Sequence, residues 1–181
     1  MFVTIKNGKS VEVRRLHSQD ADALYNYLQS LSPETKSRFG PHPFDRNSVD
    51  DICNQTQDPV QRYVAIDPDS AIIVAYMLFS PGFLEWDLKR YEQRQQYLHP
   101  GFCLSFAPSV ADEWQSTGLG LAMTTYLEGE FRTAGIRHII LWGGVQAQNL
   151  KAVNFYKRLG YQHMGSFWHE GKDNLDMAKG L

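Results

Sequence analysis

The sequence has little of what marks several large protein classes. Cysteine occurs twice, as Cys53 and Cys103. They have no CxxC spacing, so neither a zinc site nor a disulfide framework is expected. No apolar run approaches the roughly 20 residues that span a bilayer, and the opening MFVTIKNGKS has no apolar core of a signal peptide. The expectation is a protein of the reducing cytoplasm with no membrane partner. An excess of one charge is also missing. The chain has 18 Lys and Arg against 20 Asp and Glu, a net charge of -2, which gives no electrostatic reason to expect nucleic-acid binding. His163, His169 and Glu170 fit neither HExxH nor a paired-cysteine site, so no metal is expected. No repeat, low-complexity tract or linker interrupts the chain.

What is present is the composition of one globular domain over residues 1–181, with 43% hydrophobic and 21% charged residues. Residues 1–10 open a hairpin, because Phe2 to Ile5 and Val11 to Val13 flank the turn signal Asn7-Gly8. Apolar residues at helical spacing predict a helix over Asp20 to Leu31, and Ser32-Pro33 predicts a capped second one. A helix over Ser48 to Gln57 and strands over Arg62 to Ile66 and Ala71 to Phe79 follow. Residues 81–100 read as a helical insertion with Trp86, Tyr91 and Leu98 partly buried. It is either a solvated helix or a lid or partner-facing element.

The second half alternates more regularly. Strands are predicted at Phe102 to Val110 and His138 to Trp142, helices at Leu119 to Ala134 and Asn149 to Leu159, and closing strands at Tyr161 to Trp168 and Leu175 to Ala178. This order implies an α/β or α+β fold with parallel pairing around the glycines of WQSTGLGLA. Those glycines stand where a helix begins. There, unpaired N–H groups and a partial positive charge meet a backbone without Cβ atoms, which is a setting for phosphate. A Walker A loop needs Gly-Lys-Ser/Thr, which is absent, and a Rossmann fingerprint needs a small residue where Met123 sits.

A second pattern follows about thirty residues on: Asn149, Ala152, Phe155, Tyr156, Gly160 and Tyr161. Gln115-Ser116-Thr117-Gly118-Leu119-Gly120 resembles the acyl-CoA loop of the GCN5-related N-acetyltransferases (GNAT), Arg/Gln-x-x-Gly-x-Gly/Ala. The downstream stretch is similar to the family's Asn-x-x-Ala-x-x-Phe/Leu-Tyr-x-x-x-Gly-Phe/Tyr motif. The resemblance is firm from Phe102 to Tyr161. It implies a mixed, centrally splayed sheet flanked by helices, and transfer of an acetyl group from acetyl-CoA to a small-molecule or peptide amine; a homodimer is left open. It also implies site residues. Gln115, Ser116, Thr117, Gly118, Leu119 and Gly120 hold the pyrophosphate through main-chain N–H groups, and Val110 meets the pantetheine arm through its backbone. Asn149 hydrogen-bonds the pantetheine and Tyr156 stands near the thioester sulfur. Lys157 or Arg158 either approaches the adenosine end or is a solvated helix charge.

The chemistry asks for three things: an oxyanion donor, a neutral amine and a stabilised thiolate. Backbone near Val110 can serve the first and the Tyr156 hydroxyl the third. A phenol of pKa about 10 against a thiol of about 8.5 makes complete proton transfer uphill by roughly 2 kcal/mol, so hydrogen-bond donation is enough to invoke. An alkylamine of pKa about 10.4 must lose a proton, at about 4.6 kcal/mol at pH 7. Some members that acetylate protein N-termini carry a Glu on the strand before the Asn; counting back from Asn149, that position here is Gly144. Glu113 reads as a turn residue, and His42 and Ser105 are weak candidates for the base. Two other readings stay open: a non-catalytic acyl-CoA-binding sensor or interaction module, and a Rossmann-type oxidoreductase.

Overall fold

The computed structural model describes residues 1–55 and 57–181. They form two compact units, residues 1–78 with 107–126 and residues 79–106 with 127–181. In the first, β1 (Phe2–Thr4) pairs antiparallel with β2 (Ser10–Arg15), placing Val3 opposite Val11. The turn between them needs Gly8, whose φ is +81°. Helix α1 (Ala21–Ser30) follows, then α2 (Pro33–Lys36), where the Ser32 hydroxyl accepts the Thr35 N–H and Pro33 occupies the first turn. Helix α3 (Arg46–Asn54) begins two residues before the expected start because Asp45 caps it by accepting the Ser48 N–H. The predicted extension to Gln57 crosses Thr56, which lies outside the described residues. Strand β3 (Gln61–Asp67) pairs antiparallel with β2, with Val13 opposite Ala65. Strand β4 (Ile72–Pro81) is buried from Ile73 to Phe79, as a central strand with two covered faces must be.

The second unit continues from β4 into α4 (Glu85–Gln93), the helix expected within residues 81–100. Tyr91 is buried and Leu98 partly so, but Trp86 is 72% exposed, which corrects the expectation of partial burial. The reason lies in what the helix turns inward. Asp87 is buried and Arg90 reaches Asp176 at 2.8 Å, so the helix face beneath is ionic and Trp86 lies off it. Strand β5 (Cys103–Val110) starts one residue later than predicted, since Phe102 closes a short 3-10 turn. Helix α5 (Leu119–Thr133) buries Leu119, Met123, Leu127 and Phe131, one stripe at four-residue spacing. Strand β6 (His138–Leu141) runs parallel to β5 from Cys103 opposite His138 to Phe106 opposite Leu141. A two-residue strand β7 (Val145–Gln146), too short for any periodicity to show, precedes α6 (Leu150–Leu159). Gly160 ends α6 in the left-handed conformation, and β8 (Gln162–His169) and β9 (Lys172–Gly180) close the chain as an antiparallel pair.

Among the described residues the sheet has nine strands in the order β1-β2-β3-β4-β5-β6-β9-β7, with β8 paired to β9. The result is a mixed sheet flanked by helices. Among the described residues no helix is long and apolar enough to cross a membrane. Both cysteines are buried free thiols, and burial pushes the Cys103 thiol up to about 12.

Candidate functional site

The first unit holds the glycine loop. Strand β5 is antiparallel to β4: the Ala111 N–H donates to the Val74 carbonyl at 2.9 Å, and eight residues on from Val74 the Gly82 N–H donates to the Cys103 carbonyl at 2.8 Å, eight residues back from Ala111. In an antiparallel ladder alternate residues turn their backbone groups to opposite edges. Val110, next to the bonded Ala111, therefore turns its N–H away from β4. Pro108, one rung earlier on the same edge, has no N–H to offer. The strand thus presents a single donor, that of Val110, beyond the rungs it shares with β6.

The chain then makes a short 3-10 turn (Asp112–Trp114) and enters the loop. Ser116 and Gly118 take left-handed φ angles of +67° and +94°, on either side of Thr117. Residues alternating in this way turn successive N–H groups toward one concave side, a nest for an anion. The N–H groups of Ser116, Thr117, Gly118 and Gly120 make no hydrogen bond among the described residues. The Leu119 N–H reaches the Thr117 hydroxyl at a long 3.4 Å. Side chains of the loop are turned to its own architecture. The Thr117 hydroxyl donates to the Trp114 carbonyl at 2.7 Å, and the Gln115 amide donates to the Val110 carbonyl at 3.1 Å. What the loop leaves for a ligand is its backbone, at the positive end of a 15-residue helix.

A network that sequence reasoning missed holds the loop's entrance. The Asp112 carboxylate accepts the Ser32 N–H at 2.9 Å, the Ser32 hydroxyl at 2.9 Å and the Thr35 hydroxyl at 2.6 Å. Burial pushes the Asp112 carboxyl up, but the bonds from Thr35 and Ser32 outweigh it and hold it below its ordinary value. The residues lie about eighty positions apart, so no local pattern could have joined them. The cap signal at Ser32 was legible, whereas its second partner was not.

The second unit holds the remaining predicted residues. Asn149 caps α6, its Oδ1 accepting the Ala152 N–H at 3.2 Å, which leaves its amide N–H groups as donors. Tyr156 is buried one turn before the end of α6, its ring 5.5 Å from Tyr161 and 6.5 Å from Phe106, centroid to centroid. Its hydroxyl makes no hydrogen bond among the described residues. Burial alone raises its pKa, so the phenol stays a neutral donor. Lys157 and Arg158, on the last turn of the same helix, are exposed.

The candidates for a base fare less well. The Ser105 hydroxyl donates to the Gly82 carbonyl at 2.8 Å, which commits it to the backbone. Glu113 is exposed in the 3-10 turn. His42 sits in the first unit against Phe39, Phe44 and Tyr76, with ring centroids 5.7 to 6.2 Å away. Its Nδ1 faces the Pro43 carbonyl at 2.7 Å, so that nitrogen carries the proton and the buried Nε2 is the bare one. Burial lowers its pKa. At Gly144, φ is +73° and a Cβ would stand 2.8 Å from the Leu175 carbonyl oxygen and 2.8 Å from a Phe167 ring carbon. No side chain fits there. Among the described residues no cluster of three or more His, Cys, Asp or Glu is placed to hold a metal ion.

Comparison with known proteins places these features in a family. A family model described as Acetyltransferase (GNAT) family matches residues 22–161. A search of curated proteins gave no match. Among solved structures, the GNAT domain of S. lividans PAT superposes with a TM-score of 0.78 at 17% identity, covering 100% of this chain and 96% of that one. Ribosomal-protein-S5-alanine acetyltransferase from Vibrio fischeri gives 0.73 at 16% identity, covering 93% and 92%. Aminoglycoside acetyltransferase AAC(6')-Ib, solved in complex with coenzyme A, gives 0.69 at 16% identity, covering 94% of each chain. At these identities the structures speak for the fold, while the family model spans most of the chain. The chain belongs to the GNAT acetyltransferase family.

Proposed function

We propose that the chain, acting as one domain, transfers the acetyl group of acetyl-CoA to the nitrogen of an amine by direct attack on the thioester. The observation that carries this reading is the set of N–H groups at Ser116, Thr117, Gly118 and Gly120, without partners and gathered at the start of α5. Gln115 and Leu119 complete that loop, Gln115 by fixing its entrance to Val110. Together these residues bind the diphosphate by charge-assisted hydrogen bonds from the backbone. The Val110 N–H is the donor assigned to the thioester end of the pantetheine arm, and Asn149 supplies amide N–H groups to the arm.

The reaction forms a C–N bond as the neutral amine attacks the carbonyl carbon, and then breaks the C–S bond. Charge develops first on the carbonyl oxygen and then on sulfur. A backbone donor meets the first charge and the Tyr156 hydroxyl the second. Because burial raises the Tyr156 pKa above 10, the hydroxyl donates a hydrogen bond to the thiolate and retains its proton until solvent restores CoA–SH. The acetylated amine loses one proton, so atoms and charge balance.

The fold is shared with proteins named for acceptors as different as an aminoglycoside and a ribosomal-protein alanine. The test therefore uses a panel of small-molecule and peptide amines, with release of free CoA thiol as the readout. Amine-dependent release above the rate of thioester hydrolysis is expected. Tight acetyl-CoA binding with no release on any amine would instead favour a non-catalytic acyl-CoA sensor.

A further inference from the structure

The N-terminal hairpin lies outside residues 22–161, the part matched by the family model, and it touches the glycine loop through one residue at three points. The Lys6 backbone N–H donates to the Thr117 carbonyl at 3.1 Å. The Lys6 ammonium donates to the Ser116 carbonyl at 3.4 Å. The aliphatic stem covers Gly118, its Cγ 3.1 Å from where a Cβ would stand. The hairpin is itself fixed beside the loop, since Lys9 Nζ lies 2.6 Å from Asp67 and 5.0 Å from the Trp114 ring centroid.

These contacts set two peptide planes. In a planar trans peptide the carbonyl of one residue and the N–H of the next point in opposite directions, and no peptide bond described here is cis. The Ser116 carbonyl shares its plane with the Thr117 N–H, and the Thr117 carbonyl with the Gly118 N–H. Lys6 draws both carbonyls toward itself and so turns both N–H groups to the far side of the loop. Those two groups are among the donors without partners. A cation bonded to one carbonyl also polarises that peptide and strengthens its N–H as a donor.

We propose that Lys6 is a positioning residue for the diphosphate of acetyl-CoA. It acts from behind the loop and aims the Thr117 and Gly118 N–H groups at the anion. The inference rests on the reading of function above. It gives the hairpin a part in substrate binding that the loop motif alone does not contain. It also gives Gly118 a second reason to lack a side chain, because the Lys6 stem occupies that face.

The test is calorimetry of the full chain with CoA and with pantetheine, which lacks the diphosphate. Lys6→Met removes the ammonium and keeps the backbone bond and much of the stem. It should weaken CoA binding about threefold to tenfold, the range for the net contribution of an ordinary hydrogen bond. Pantetheine affinity should be unchanged, and Lys6→Arg should restore CoA affinity. Unchanged CoA affinity in Lys6→Met, or an equal loss for both ligands, overturns the role given to Lys6 while the function stands. A wild-type chain that does not bind CoA overturns both.

Discussion

Removing one oxygen atom, with Tyr156→Phe, tests the leaving-group step. The ring contacts with Phe106, Phe155 and Tyr161 do not need the hydroxyl, which has no hydrogen-bond partner among the described residues. A buried hydroxyl that donated to the protein would cost about 0.5 to 1.5 kcal/mol when removed. Tyr156 makes no such bond among the described residues, so Tm should shift by no more than about 1 °C, roughly 0.25 to 0.5 kcal/mol for a chain of this length. Turnover should respond differently. A positioned acid typically contributes about 100- to 10,000-fold, or about 2.7 to 5.4 kcal/mol in the barrier. The assay is thiol release at saturating acetyl-CoA, beside calorimetric affinity and a melting curve. Turnover lowered at least about 100-fold with affinity intact supports the donor. A loss below about threefold in a protein that still binds acetyl-CoA would refute it and leave Tyr156 as a packed aromatic.

Three further perturbations separate binding, scaffold and proton effects. Gly120 is helical, whereas Gly118 has φ +94° and the Lys6 stem against it. Gly120→Val should weaken acetyl-CoA binding about tenfold or more, and Gly118→Val should lower affinity and Tm together; calorimetry showing normal affinity in a folded Gly120→Val protein would remove the phosphate-cradle reading. Asp176 is buried between Arg90 and Arg94, at 2.8 and 2.6 Å. Asp176→Asn should cost about 3 to 5 kcal/mol in denaturant unfolding, while Glu85→Gln, on an exposed pair, should leave the midpoint unchanged. Burial holds the His42 pKa below its ordinary value, so below about pH 6.5 the unfolded chain binds a proton that the folded one resists. Stability should fall as pH drops from about 6.5 toward the lower folded pKa, and His42→Gln should flatten that part of the curve.

Much of the fold was legible because its signals are local. Asn7-Gly8, Ser32-Pro33 and Gly160 each state a backbone requirement at the residue where it applies, and the structure places a turn, a capped helix start and a left-handed helix end there. The stripe of α5 and the strands of the second half have periods long enough to count. The glycine loop was legible for the same reason, since its glycines and helix start are contiguous. What could not be read are the contacts between distant residues. Asp112 with Ser32 and Thr35, Asp176 with Arg90 and Arg94, and Lys6 with the loop carbonyls are all polar pairs far apart in sequence. Charged residues in the 81–100 segment looked solvated by composition, yet Asp87 is among the most deeply buried side chains of the second unit, and Arg90 reaches from the same helix to the buried Asp176 on β9. Composition reports the charge of a segment and says nothing of what lies opposite it.

The proton on the amine turns on Gly144. The family resemblance implies a place for a glutamate here, and Gly144→Glu is the direct way to supply a base. The backbone argues otherwise. Gly144 has φ +73°, and a side chain in that conformation costs roughly 1 to 2 kcal/mol. Its Cβ would lie 2.8 Å from the Leu175 carbonyl oxygen, part of the β7–β9 pairing, and that oxygen cannot swing aside as a flexible side chain does. Overpacking of this kind adds about 1 to 3 kcal/mol. Gly144→Glu should therefore lower stability by about 2 to 5 kcal/mol, a fall in Tm of about 5 to 15 °C, with no gain in turnover at pH 7. Gly144→Ala should show most of the same loss, because the obstacle is the Cβ rather than the carboxylate. If Gly144→Glu instead melts with the wild type and turns over alkylamines faster at neutral pH, the turn is softer than its geometry states and the missing base was the limiting step.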